Sequence, residues 1–159
     1  MKNQLLGLPT NNIVLLSARV MMAASMIVYG SRTLLDISMF TSNFATQRLM
    51  ELVFHGGPCP LWFAYANALF QTLAGVMVLL GLQTRHAAMA LTLWLIALTY
   101  LGHPFWSMLG VEQAFNESMF YRNLGLIAAF AMIFTTGGGK FSVDQLLSDA
   151  RSQTPVDPA

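Results

Sequence analysis

The chain has 159 residues, 55% of them hydrophobic, and only 8 Lys+Arg and 7 Asp+Glu; charged residues make up 9%, where a soluble domain has roughly 25%. So few charges cannot cover a surface that faces water throughout, but they suffice if much of it faces hydrocarbon. A formal net charge of +1 gives no basic field for nucleic acid, and one cysteine excludes a disulfide framework, a CxxC redox pair and a multi-cysteine zinc or iron–sulfur site within the chain.

Four apolar stretches approach or exceed the roughly 20 residues that cross about 30 Å of hydrocarbon as a helix. Residues 13–30 (IVLLSARVMMAASMIVYG) form the first, and Arg19 inside it favours a retained anchor over a cleaved signal. A long segment, residues 31–59, precedes the second stretch, 60–82 (PLWFAYANALFQTLAGVMVLLGL), which Pro60 opens at a position where its missing N–H is harmless. After a tight hairpin at 83–86 comes the third, 87–101 (AAMALTLWLIALTYL), extended by His103 and the pair Phe105-Trp106. Residues 102–118 form a second long segment, and the fourth stretch, 119–136 (MFYRNLGLIAAFAMIFTT), ends at Gly137, Gly138 and Gly139.

Beyond the glycines, Ser142 to Gln145 reads as a capping box with Phe141 and Leu146 placed for a hydrophobic staple, and an interfacial helix is expected over 143–150. The runs are too long for membrane strands and lack alternation. The expected fold is all-α: a polytopic membrane protein whose four transmembrane helices form a bundle, with a short C-terminal interfacial helix. Residues 1–151 form one domain, and 152–159 (SQTPVDPA) a disordered tail.

Four crossings put both termini on one side. That side carries Lys2, Arg85, Lys140 and Arg151 against Arg32 and Arg48 opposite, so the termini are expected in the cytoplasm. Trp62, Phe105, Trp106 and Tyr121 then belong to an aromatic belt at the outer edge, where the two long segments make a functional face.

In the second helix Ala64, Asn67, Gln71, Ala74, Gly75 and Val78 recur at three- and four-residue spacing, a small-and-polar stripe of the kind that packs helices in membranes. Arg19 lies about 9 Å inside the cytoplasmic boundary, where its charge either snorkels to the interface or is held within the bundle, by a ligand's anionic group or by Gln71. Near the outer boundary stand Asn67, Tyr100, His103, Arg122, Asn123 and Arg32, with Glu51, Glu112 and Glu117 in the adjoining segments. These are either ordinary helix-end residues meeting water and headgroups or the wall of a polar pocket open to lipid, suited to a quinone whose two carbonyls need donors. His103 is the natural proton carrier in the second reading.

His55, Cys59, His103 and Glu112 match no ligand spacing, so no metal site is expected. Cys59 in GGPCP is a turn residue or, if exposed, a partner's thiol-exchange point. GGGK lacks the spacing and the hydroxyl residue of a phosphate loop and reads as a helix terminator.

The order of these features resembles the DoxX family of small bacterial integral membrane proteins. The matching elements are SARVMMAASMIVYGSRTLLD, GVMVLLGLQTRHAA, an outer segment with HPFW, and the closing block FYRNLGLIAAFAMIFTTGGGKFSVDQLL, together spanning most of residues 17–147. Many members carry a glutamate in the middle of the second helix, where this chain has Gln71. The resemblance implies a four-helix membrane protein tied to redox complexes, in one branch the membrane subunit of a thiosulfate:quinone oxidoreductase.

On this reading the chain is the membrane subunit of a redox complex, passing electrons from a sulfur or thiol donor protein to quinone. The ligand-binding candidates are Asn67, Tyr100, His103, Arg122, Arg19 and Gln71. No covalently bound cofactor is expected, and any catalysis belongs to the complex rather than to this chain alone, because it has no haem ligation pattern, flavin fingerprint or cysteine pair. The partners are the lipid bilayer and a periplasmic or cytoplasmic redox protein. The alternative is a non-catalytic scaffold or assembly factor that anchors a partner; solute transport stands third, since no coupling-ion site is visible.

Overall fold

The computed structural model describes residues 4–5 and 8–152. Two-residue strands β1 (Gln4–Leu5) and β2 (Leu8–Pro9) pair antiparallel ahead of α1 (Thr10–Leu35). There follow α2 (Ser38–Thr41), α3 (Phe44–Phe54), α4 (Leu61–Leu80), α5 (Thr84–Gly102), a single 3₁₀ turn (Phe105–Ser107), α6 (Gly110–Thr136) and α7 (Val143–Ser152). Among them α1, α4, α5 and α6 are long and apolar enough to cross a membrane. The 20 residues of α4 alone reach about 30 Å. The protein is a four-helix membrane bundle.

The chain reverses where its residues tolerate the required backbone. Gly81 closes α4 with φ 72°, and the N–H groups of Gly81 and Leu82 return to the carbonyls of Val78 and Met77, the paired bonds of a Schellman turn. His55 ends α3 in the left-handed region at φ 56°, and Gly56 and Gly57 continue at positive φ toward Pro58. Asn43 opens α3 by accepting the Ala45 N–H at 2.9 Å.

Lipid is as apolar as leucine, so close backbone approach and hydrogen bonds hold the spans together. Helix α1 packs along α4, and α5 along α6. A Cβ on Gly30 would overlap Thr72 and the Ala68 carbonyl, and one on Gly75 would press against Ile27 and Met26. Most of the expected stripe on α4 is the packing face: Ala64, Gln71, Ala74, Gly75 and Val78 are buried, with Ala68 beside them, whereas Asn67 is half-buried. Ala23, Leu91, Leu95, Phe130 and Ile133 complete the core.

The two long segments are largely helical rather than loops. Helix α1 runs to Leu35, α2 and α3 lie across the end of the bundle remote from the α4–α5 hairpin, and α6 begins at Gly110 instead of 119. Ala45 of α3 sits where a Cβ on Gly102 would fall, and Ala45, Thr46 and Met50 are buried. This capped end also gathers Tyr100, Phe105, Trp106, Phe120 and Tyr121 in ring contacts of 5.3–6.1 Å, as an interfacial belt does.

The opposite, hairpin end is tied by two side chains. Arg19 is fully buried and donates to four carbonyls: Val78 (3.1 Å), Leu79 (2.8 Å), Gly138 (2.5 Å) and Phe141 (2.9 Å). It neither snorkels nor reaches Gln71. The guanidinium satisfies the Leu79 carbonyl at the end of α4, adds a second bond to that of Val78, and ties both to the carbonyls of Gly138 and Phe141 beyond α6. Asp144 of α7 accepts from the Gln83 N–H (2.7 Å), the Thr84 N–H and the Thr84 hydroxyl (both 2.9 Å), and so caps α5 from outside it.

Ser142 caps α7 by accepting the Gln145 N–H at 3.2 Å, but the Gln145 side chain turns to Asp149, so only half of the expected box forms. Phe141 and Leu146 stay exposed rather than closing a staple. Ser152 is the last residue of α7; the remainder of the expected tail, like Lys2, lies outside the described residues.

Candidate functional site

A cavity of about 310 Å³ lies between α1, α5 and α6 beneath the α2–α3 cap, with Gln71 reaching in from α4. Its depth is set by the packing already described, since α1 follows α4 and α5 follows α6, leaving room between the two pairs. Trp94, Phe40, Phe44 and Phe115 give it flat apolar walls, and Met26, Met39 and Met119 fill between them.

Two amides sit inside it. Gln71 is 4% exposed and Asn123 5% exposed, both line the cavity, and neither side chain has a hydrogen-bond partner among the described residues. Their polar atoms open onto the cavity rather than being sealed from it, so the two together offer donors and acceptors to a group that enters it. Arg32 and Arg122 line the mouth, both exposed, and among the described residues no Asp or Glu appears in the lining. The mouth is therefore electropositive.

His103 follows the last residue of α5, where its backbone N–H still bonds the Thr99 carbonyl. Its Nδ1 lies 2.9 Å from Asn116 Oδ1, while Asn116 Nδ2 donates to the Glu112 carbonyl at 2.9 Å. With the amide nitrogen committed to a carbonyl, Oδ1 is the acceptor and His103 Nδ1 the donor. In the neutral ring Nε2 then carries the free lone pair.

Of the residues expected at the outer pocket, His103, Arg122, Arg32 and Asn123 line this cavity, and so does Gln71, which was expected beside Arg19. Asn67 stands behind the wall, its Oδ1 accepting from Trp94 Nε1 at 2.9 Å and its Nδ2 buried without a partner among the described residues. Tyr100 is 65% exposed and rests against Trp106 on the outer surface. Arg19 belongs to the other end of the bundle. The residues not anticipated are Asn116 and the α2–α3 aromatics. Asn116, Met119, Asn123 and Leu126 share one helix face, a spacing visible once α6 is started at Gly110.

Cys59 lies outside this cavity, half buried in the turn before α4. Burial pushes its thiol above the usual range, the opposite of an activated thiolate. Among the described residues no three His, Cys, Asp or Glu side chains converge as a metal site would require.

Inner membrane protein YphA of Escherichia coli (strain K12) is 25% identical over 133 residues, covering 84% of this chain and 89% of that protein. No solved structure matches the chain. The DoxX family pattern matches residues 14–104, from the first turns of α1 through all of α4 and α5. By that match, which covers more than half of the chain and three of its four membrane-crossing helices, the chain belongs to the DoxX family.

Proposed function

We propose that the protein is the membrane subunit of a redox complex in the bacterial inner membrane, binding a quinone headgroup in this cavity while a partner protein supplies electrons from a thiol or sulfur donor. The observation that carries the reading is the pair of buried amides, Gln71 and Asn123, facing a flat-walled cavity without partners of their own. A quinone ring is planar, apolar on both faces, and asks for donors only at its carbonyl oxygens, which two amides supply. Arg32 and Arg122 at the mouth favour the negative charge that develops on those oxygens during reduction.

The balance is simple: two donor thiols on the partner become one disulfide, and two electrons with two protons convert quinone to quinol. The chain's single cysteine cannot form that pair, so the donor lies in the partner. His103, held through Nδ1 by Asn116, exchanges a proton at Nε2 between the ring and the water-facing end. The inner-membrane assignment follows the name of the E. coli relative. The Lys and Arg bias supports cytoplasmic termini, which puts the cavity in the periplasmic half of the membrane.

Purification in mild detergent without crosslinking tests the reading. Organic extraction should release close to stoichiometric quinone. A stoichiometric partner protein without quinone would favour the scaffold that only anchors a partner.

A further inference from the structure

Three of the four seams between neighbouring spans are packed, whereas the fourth, between α1 and α6, is loose. The polar cavity occupies one half of this seam, between Met26, Tyr29 and Thr33 of α1 and Met119, Asn123 and Leu126 of α6. The next turns toward the hairpin end hold a second space of about 330 Å³. On α1 its wall is Met22, Ala18, Leu15 and Val14; on α6 it is Ala129, Met132, Ile133 and Thr136. The one hydroxyl among them, on Thr136, donates to the Met132 carbonyl at 2.9 Å and so leaves the groove without a free donor.

Cavity and groove are collinear. Met26 and Met22 are one turn apart on α1, as are Leu126 and Ala129 on α6, and from residue 22 to residue 14 the groove runs about 12 Å along the seam. Small side chains at Ala18 and Ala129 keep it open, and Gly125 beside it on α6 faces open space. A site with unpartnered amides at one end and only satisfied or apolar groups along the other has the polarity profile of an amphiphile.

We infer that the α1–α6 seam holds the hydrocarbon tail of the same ligand whose headgroup occupies the cavity, so that the ligand slides in sideways from the bilayer between these two helices. The inference rests on the proposed headgroup site and adds the route and the tail-binding wall. The tail gains little by leaving lipid, because both surroundings are apolar; the groove's role is steric, letting a tailed molecule seat its head.

The test uses the full-length protein in lipid nanodiscs with a benzoquinone bearing a decyl chain and a diazirine at the chain end, and a tailless benzoquinone as competitor. Photolysis followed by peptide mass spectrometry should place the label on Val14, Leu15, Ala18 or Met132, with label lost when the tailless quinone is in excess. Ala129→Trp, which fills the groove, should cut labelling by about tenfold or more while tailless binding stays within about twofold of wild type. Competed label on the outer faces of α4 or α5 would overturn the seam while leaving the headgroup site standing. Label that the tailless quinone does not compete would mean that ordinary lipid fills the groove, and the headgroup reading would fall with the inference.

Discussion

Asp144 on α7 holds Thr84 by both its backbone N–H and its hydroxyl, each at 2.9 Å, so α7 caps the first turn of α5. The Asp144 N–H in turn donates to the Gly81 carbonyl at 2.9 Å, and a Cβ on Gly81 would run into Arg19 and Ser142. Three distant parts of the sequence therefore meet at the hairpin end, with backbone groups satisfied by one guanidinium and one carboxylate.

This carboxylate makes stability depend on pH. Burial opposes its ionisation, but the Thr84 and Gln83 bonds, with the Arg19 charge nearby, outweigh that and hold the Asp144 carboxyl below its ordinary value of 3.8. A carboxyl lowered on folding adds stability that is present above the unfolded value and is lost as pH falls toward the folded one. Thermal melting in detergent should thus show wild type losing more stability than Asp144→Asn between neutral pH and pH below about 4. Parallel melting curves would remove Asp144 from the account.

Arg19 should be irreplaceable by lysine. Lysine offers one point of charge where four carbonyls are spread around a planar fork. Arg19→Ala should lower the melting temperature by roughly 6–12 °C, from about 3 kcal/mol of unsatisfied carbonyls, and Arg19→Lys should recover only part of it. A wild-type melting curve for either variant would contradict the clasp.

Asn116 should act through His103 rather than on the ligand directly. Asn116→Ala frees the imidazole to take either tautomer, so the nitrogen NMR signals of His103 should shift from one tautomer toward a mixture, and quinone binding should weaken about threefold to tenfold. Unchanged imidazole signals would show that Asn116 sets nothing.

Topology gives a further expectation. A reporter fused after Ala159 should report cytoplasm, following Arg85, Lys140 and Arg151 on the hairpin side. A periplasmic signal would turn the cavity toward the cytoplasm and require the donor protein there.

The four spans were legible because length and continuous hydropathy suffice to mark them. Their true ends were not. Glu112, Gln113, Asn116 and Glu117 look like loop by polarity, yet all but Asn116 are good helix formers, and together they make the first turns of α6. The pairing of Arg19 with Gln71 failed on register. Gly30 faces Thr72 and Gly75 faces Ile27, so Gln71 lies level with residue 31 of α1, roughly 18 Å from the level of Arg19. The real partners of Arg19 are backbone carbonyls 59 to 122 positions away, and a carbonyl has no residue type by which a sequence could announce it. Depth alone places His103, Arg122, Asn123 and Arg32 near the cavity, whereas Gln71 enters only through its expected bond to Arg19, and the exclusion of Tyr100 and Asn67 depends on which way each helix face turns.

Titration of the reconstituted protein with a short-chain quinone tests the central claim most directly. Wild type and Cys59→Ser should bind saturably and alike. Gln71→Leu and Asn123→Leu, which remove the two unpartnered amides without opening a hole, should each weaken binding by about tenfold, the worth of one hydrogen bond in a buried site. Absence of saturable binding by the wild type, or wild-type affinity in both leucine variants, would contradict the assignment of this cavity to a quinone headgroup.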